Sequence, residues 1–545
     1  MTQTSPSQMQ PQVGHPRRWL ILGVLVTSLL MILIDNTILN VGLKTIQHDL
    51  VATQSEMEWV LDSYILIFAG LMFTFGVLGD KLGRKRLLIV GMVVFGVASV
   101  AAALVSTPLP LIAARAGMGL GAAMVQPQTL SIIQNVFPPA ERPKAIGIWS
   151  SFSGVAIAIG PISGGLLLKY FWWGSLFLVN IPVILIGIAL TFVIVPESSD
   201  PRPSRLDPLG VVLSTAGVVA LVYGVIKGGE TNQWGSVEVL APSLAGVAVL
   251  ALFIWLQARS SAPALDVSLF RNRLFSTGTL ALTVTSFALM GGLVYMAYYW
   301  QAARGYDALK AGLLALPIAV GMMLGAAKSS NLTARFGQRG PVATGLAALG
   351  LSLLAWAIVD KDTAIWFLII VTFVFGWGMG NVFAPATAQA MSAVPREKAG
   401  AGSAVTNTVR QMAGALGIAV LGSILSAAYR DRITPTVQAS DLPHSAQHAA
   451  AESIVGTGSE IEKLVAQVAA GKAPQSALAG LNDLFAKAQD SFIGAMHVTS
   501  VVAGGISLLG AASVMLAMPS PKAKARAEAA EAGAPQSKTA ASTAG

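Results

Sequence analysis

Fourteen stretches of about twenty apolar residues divide this chain, and no other feature limits its fold so tightly. A helix that crosses a bilayer needs roughly 20 apolar residues. The stretches lie at 19–43, 57–79, 87–106, 110–134, 144–168, 174–195, 208–227, 238–258, 274–301, 310–330, 341–359, 363–390, 399–428 and 493–517. In hydrocarbon every backbone amide must be satisfied within the protein, so spans of this length are read as helices. With 54% hydrophobic and only 11% charged residues, the expectation is an all-α integral membrane protein.

Charge fixes the expected orientation. Of the 35 lysines and arginines, 21 fall in the loops and tails on the side that holds both termini. Eleven fall on the other side, five of them in one long loop, and Arg115, Lys328 and Arg410 lie inside spans. Long loops do not govern insertion, so the bias places both termini in the cytoplasm of a cell (inner) membrane protein. Residues 1–16 are polar and lack a cleavage site, so the first span is expected to be retained. The isoelectric point near 9.7 follows from the loop cations and is not read as nucleic-acid binding. The chain has no cysteine, which excludes disulfides, thiolate metal sites and cysteine nucleophiles. No phosphate-loop, H-E-x-x-H or G-x-S-x-G motif is present. These gaps argue against an ATP-driven pump and against an enzyme; neither a metal nor a cofactor is expected.

The chain repeats itself around a middle pair of spans. Leu332–Arg339 aligns with Leu78–Lys85, keeping the glycine and two cations but not the acid. Pro139-Ala140-Glu141-Arg142 aligns with Pro395-Arg396-Glu397-Lys398, and Gly119 and Gly121 align with Gly378 and Gly380. The expected organisation is an N-terminal tail (1–18), a six-helix half (19–195), two linking helices (208–258), a second six-helix half (274–517) containing an outside loop at 429–491, and a tail (518–545). Repeats of this kind place a substrate site near the bilayer midplane, between the halves.

The segment Gly76-Val77-Leu78-Gly79-Asp80-Lys81-Leu82-Gly83-Arg84-Lys85-Arg86 joins the second and third spans. Its glycines allow a tight turn. Asp80 can face a helix N-terminus, and Arg84 can grip a carboxylate with a two-pronged hydrogen bond. The segment resembles the loop between helices two and three of the major facilitator superfamily. Fourteen spans, Asp35-Asn36-Thr37-Ile38-Leu39-Asn40-Val41, Arg115–Ala123, Gly160-Pro161-Ile162-Ser163-Gly164-Gly165 and Phe177-Leu178-Val179-Asn180-Ile181-Pro182 resemble its 14-span drug:proton antiporter branch, the QacA and EmrB type. The likeness covers residues 17–428 and the last helix. Lys44, Met118 and Trp173-Gly174-Ser175 depart from the branch pattern.

The resemblance implies a fold of 6 + 2 + 6 helices and export by alternating access. The 76–86 loop, through Gly76, Asp80, Gly83, Arg84 and Lys85, would be a conformational latch bracing the cytoplasmic ends of the halves. Gly160, Pro161, Gly164 and Gly165 would form the outer seal of an antiporter, or a plain helix-packing motif.

Asp35 and Asp62 are the acids well inside spans, where an ionised side chain costs roughly 3 kcal/mol. Counted along the helices, Asp35 lies roughly 12 Å, and Asp62 and Arg115 roughly 8 Å, from the outer ends. Similar depth points to one water-accessible cluster for proton coupling and for a cationic substrate. For each of the three a structural or interfacial role is the competing reading. Gln126, Trp377, Asn381 and Arg410 are pocket candidates, Arg410 either as a structural tie or as a partner for an anionic part of the substrate. Tyr298, Tyr299 and Trp300 read as interfacial anchors.

The resulting expectation is a monomer in the lipid bilayer, driven by the proton gradient, that exports hydrophobic or cationic small molecules. The rivals are a dedicated exporter of one metabolite, antibiotic or lipid, and a non-transporting membrane receptor or enzyme.

Overall fold

A computed structural model describes residues 14–518 except 51, 53, 200–207, 232, 261–266, 307, 396–397 and most of 441–480. Among the described residues there is no strand. The first half comprises α1 (Arg18–Asp49), α2 (Gln54–Leu82), α3 (Arg84–Leu104), α4 (Pro108–Val136), α5 (Arg142–Tyr170), α6 (Ser175–Leu178) and α7 (Asn180–Ile194). A hairpin of α8 (Pro208–Thr231) and α9 (Val237–Arg259) follows. The second half comprises α10 (Arg273–Tyr298), α11 (Ala308–Leu314), α12 (Leu316–Phe336), α13 (Arg339–Ala355), α14 (Ile365–Ser392), α15 (Ala399–Gln438) and α16 (Leu481–Ala517). Among the described residues, thirteen helical segments are long and apolar enough to cross a membrane. The expected span 144–168 lies in α5, a 29-residue helix outside that count.

The two halves use the same pairings. α1 packs on α5 and α7, α2 on α4, and α3 on α4 and α7. Likewise α10 packs on α15 and α16, α12 on α14, and α13 on α14 and α16. The contacts between halves follow the same register: α2 and α4 meet α15, while α12 and α14 meet α5. α8 rests on both α2 and α15, so the hairpin flanks one of these seams. On α9 the side chains of Leu244, Val247, Leu252 and Ile254 are exposed, as a helix facing acyl chains requires.

Small residues set the closest approach. Gly321 and Gly325 on α12 face Gly376 and Gly380 on α14. A Cβ at these four positions would lie against the carbonyl oxygens of Phe373, Trp377, Ile318 and Met322, respectively. Spacings of four on both helices put backbone on backbone, where dispersion holds helices together without a hydrophobic driving force. Gly380→Val should push α12 and α14 apart at a typical overpacking cost of about 1–3 kcal/mol or more. We expect the melting temperature in detergent to fall by about 5 °C or more. A wild-type melting curve would show that this seam is not close-packed.

Two sequence expectations change. The expected outside loop of 429–491 is shorter at both ends, because α15 runs on to Gln438 and α16 begins at Leu481. At 40 residues α15 is roughly 60 Å long, about twice the hydrocarbon core. One face of its overhang is covered: Tyr429, Ile433 and Val437 are buried, and the Tyr429 hydroxyl pairs with Thr457 Oγ1 at 2.9 Å. Tyr299 and Trp300 are not interfacial anchors. They are 0% and 4% exposed and pack edge-to-face on each other and on Trp356. The tail at 518–545 lies outside the described residues except for Met518.

Candidate functional site

Two polar constellations interrupt the apolar interior of the first half. The first is an ion pair sealed inside it. Arg115 on α4 donates from Nη1 to Asp35 Oδ2 on α1 at 2.6 Å. Asp35 is 0% and Arg115 1% exposed. Around them the hydrogen-bonding capacity is met in detail. Asn180, the first residue of α7, donates to Asp35 Oδ1 at 3.2 Å and to Ser99 Oγ at 3.2 Å. Arg115 Nε donates to Val60 O at 3.3 Å, and its guanidinium lies 4.3 Å from the ring centre of Tyr64. The Tyr64 hydroxyl accepts from Asn36 at 3.3 Å. A buried pair stands only when geometry and extra hydrogen bonds offset the desolvation of both ions, and this one has both.

Asp62 does not join this pair. It is half-buried on α2 and is not a partner of Arg115 or Asp35. Of the expected three-charge, water-accessible cluster, two groups are therefore paired and closed to solvent, and the third is not bonded to either of them. Equal depth along separate helices does not imply a shared face.

The second constellation lies at the end of the bundle that carries the basic loops, called here the basic end. Arg84 Nε and Nη2 both donate to Asp80 Oδ1, at 2.8 and 2.7 Å. Asp80 Oδ2 accepts from the backbone N–H of Ala401, at 3.0 Å, in the first turn of α15. One carboxylate thus holds a guanidinium of its own half and the positive end of a helix from the other. Gly83 adopts φ 112° between α2 and α3, a conformation that favours glycine. Gly79 leaves room for Gln128, which donates to Phe75 O at 2.9 Å, and Gly76 is buried in α2. Lys85 faces away from the carboxylate and donates from Nζ to Phe192 O at 2.7 Å on α7.

Sequence reasoning missed Glu197, just past α7. Its carboxylate accepts from the backbone N–H groups of Lys85 and Arg86 at 3.1 and 3.3 Å, capping α3. A carboxylate beyond a span, next to a proline, was the available signal. Nearby, Arg18 grips Glu141 with two bonds of 2.6 and 2.9 Å, and this guanidinium holds the Glu141 carboxyl below the usual carboxylate range.

Further hydrogen bonds tie the halves towards the basic end. Gln126 on α4 donates to Asn407 Oδ1 on α15 at 3.3 Å, and Gln134 donates to Met391 O on α14 at 2.7 Å. Gln126 therefore sits on the seam. Asn381 does not. It is 0% exposed and packs against Gly325 and Gly345 within the second half, so it is a packing residue rather than a pocket wall in this structure. Trp377 is half-buried, and its carbonyl accepts from Asn381 at 2.9 Å. Arg410 is half-buried on α15, with its guanidinium 5.7 Å from the ring centre of Phe383. Gly160 meets Thr37 and the Ile38 amide of α1, which makes it a contact residue. A Cβ at Gly165 would meet open space, Gly164 is buried, and the Pro161 side chain lies outside the described residues.

The sequence model of the Major Facilitator Superfamily matches residues 25–418. This chain belongs to that superfamily of transporters. It is 34% identical over 502 residues to the multidrug efflux pump LfrA of Mycolicibacterium smegmatis, covering 92% of this chain and 96% of that protein. It is 30% identical over 502 residues to the tetracenomycin C resistance and export protein of Streptomyces glaucescens, covering 91% of each. The fold also matches the crystal structure of the human organic anion transporter MFSD10 (TETRAN), with a TM-score of 0.57 and 13% identity over 92% of this chain and all of that one. The expected all-α major facilitator fold therefore holds, with thirteen of the fourteen expected spans counted among the described residues.

Proposed function

We propose that this chain exports hydrophobic organic compounds, cations among them, in exchange for protons, acting as a monomer in the inner membrane with both termini cytoplasmic. The observation that carries this reading is the Asp35–Arg115 pair, a titratable carboxylate sealed inside one half of a transporter whose relatives are drug exporters. An ionised carboxylate is stable there only beside its guanidinium. A rocking motion that separated them would leave a buried carboxylate without its cation, an unpaired charge that taking up a proton would neutralise. Proton uptake on one side and release on the other would follow from breaking and remaking one ion pair. Asp62, the acid outside this pair, is the group to which a cationic cargo is assigned.

In the proposed topology the basic end is cytoplasmic, and the Asp80–Ala401, Gln126–Asn407 and Gln134–Met391 bonds close it. The structure then corresponds to the state closed on the inside. Exporting a cation against an inside-negative potential costs about 2.3 kcal/mol per charge per 100 mV, so the proton must supply the drive.

Collapsing the proton gradient with an uncoupler should stop dye efflux from cells whose ATP is maintained. Efflux that survives the uncoupler and ceases on ATP depletion would refute the proposal. The likeness to the tetracenomycin C export protein favours a second reading, a dedicated exporter of one antibiotic. A panel of unrelated dyes and antibiotics in a pump-deficient host separates the two, because a dedicated exporter would protect against one chemical family only.

A further inference from the structure

We propose that Arg410 is an anion-taking subsite on the cargo path, so that compounds carrying a carboxylate or similar oxyanion on an aromatic body are bound there. The inference deepens the export reading and rests on it for the path itself.

Burial along α15 locates the residue. Residues 401–408 are all buried, whereas 409–412 are all half-buried. Asn407, one turn before Arg410, is bonded to Gln126 of the opposite half, so this side of α15 faces the seam between the halves. The closed part of the seam ends where Arg410 begins. Counted from the start of α15, that point lies roughly 17 Å along the helix, near the middle of a 30 Å hydrocarbon core.

Arg410 reaches this depth without a counter-ion. Among the described residues its polar contact is the face of Phe383, and no acid pairs with it. Nor could its own half supply one within the membrane. Between residues 273 and 517 every acid lies outside the expected spans, and Asp490, at the edge of the last one, pairs with Lys361. In the other half Asp35 is already taken by Arg115, and Asp62 lies roughly 27 Å along α2 from Asp80, against roughly 14 Å from Ala401 to Arg410 along α15, so the two are at different depths. A guanidinium at this depth is held at a cost unless an anion meets it, and in a transporter of organic compounds the cargo can bring one. The guanidinium fork fits a carboxylate with two parallel bonds. Phe383 beside it, together with Met290, which approaches α15 at Gly414 and is 37% exposed, gives an apolar surface for the aromatic body.

The test uses 2-naphthoate and its neutral counterpart 2-naphthamide, which share a shape and differ in charge. Binding to the purified full-length protein in detergent is measured by thermophoresis. The wild type should bind the naphthoate at least tenfold more tightly than the amide. Arg410→Gln should erase that preference while leaving amide affinity within about twofold, which also shows that the variant is folded. Arg410→Lys should retain a reduced preference. Equal affinities for the two probes in the wild type, absence of naphthoate binding, or a wild-type preference in both variants would overturn the proposal. Because binding is read without a gradient, a failure of proton coupling in the uncoupler experiment leaves this result unaffected, and the reverse holds.

Discussion

Asp35→Asn should abolish uphill export while downhill exchange of cargo across the same proteoliposomes persists. Asparagine keeps the shape of the carboxylate but cannot alternate between charged and neutral forms. The effect follows from where Asp35 sits. It is 0% exposed, 2.6 Å from Arg115, and held by Asn180. Removing its charge leaves Arg115 as a buried cation, and breaking one side of such a pair costs about 3–5 kcal/mol. The Tyr64 ring and the Val60 carbonyl remain to Arg115 and offset part of that loss.

Stability and coupling must therefore be separated. The double variant Asp35→Asn/Arg115→Met removes both charges, so its melting temperature should recover towards wild type while gradient-driven export stays at least a hundredfold below it. Both variants are measured with an imposed pH gradient, reading cargo accumulation and cargo-induced proton release. If Asp35→Asn still accumulates cargo and releases protons at wild-type rates, the pair is a structural tie and the coupling mechanism fails.

The sequence made some of this legible and hid the rest for physical reasons. The 76–86 segment could be read because its partners are close in the chain: Asp80 and Arg84 are one helical turn apart, so the acid and guanidinium meet whatever the rest of the chain does. That Asp80 faces a helix N-terminus could be anticipated, but which helix could not, since Ala401 lies 321 residues away. Depth counting placed Asp35, Asp62 and Arg115 at one level but said nothing about the face each presents, and Asp62 fell outside the pair. Hydropathy reports where the bilayer is, not where a helix stops. The Arg430-Asp431-Arg432 stretch reads as loop, yet α15 continues through it because the backbone ladder needs no lipid. Asn381 looked like a pocket amide by composition, and only the glycines facing it reveal a packing role.

The latch gives the second large effect. Asp80 is 6% and Arg84 2% exposed, so their interaction is scarcely screened by water. The same carboxylate accepts from Ala401 N at the positive end of α15, and in the proposed topology this is the contact that must form and break in every cycle. Asp80→Asn keeps an acceptor but removes the charge both partners prefer. Charge-assisted bonds of this kind contribute about 1.5–3 kcal/mol each. Losing most of one such bond weakens the state closed on the inside and should slow turnover about 10- to 100-fold. Cargo affinity should stay within about threefold of wild type, because Asp80 lies at the basic end, away from a midplane site.

The absence of native cysteine allows the motion to be read directly. Spin labels at Leu82→Cys and Ser392→Cys, both exposed near the basic end, report the distance between the halves. In the Asp80→Asn background the distribution should shift to longer distances. An unchanged distribution, or a large loss of cargo affinity with normal turnover of bound cargo, would show that Asp80 acts on the cargo site rather than on the balance between the two states.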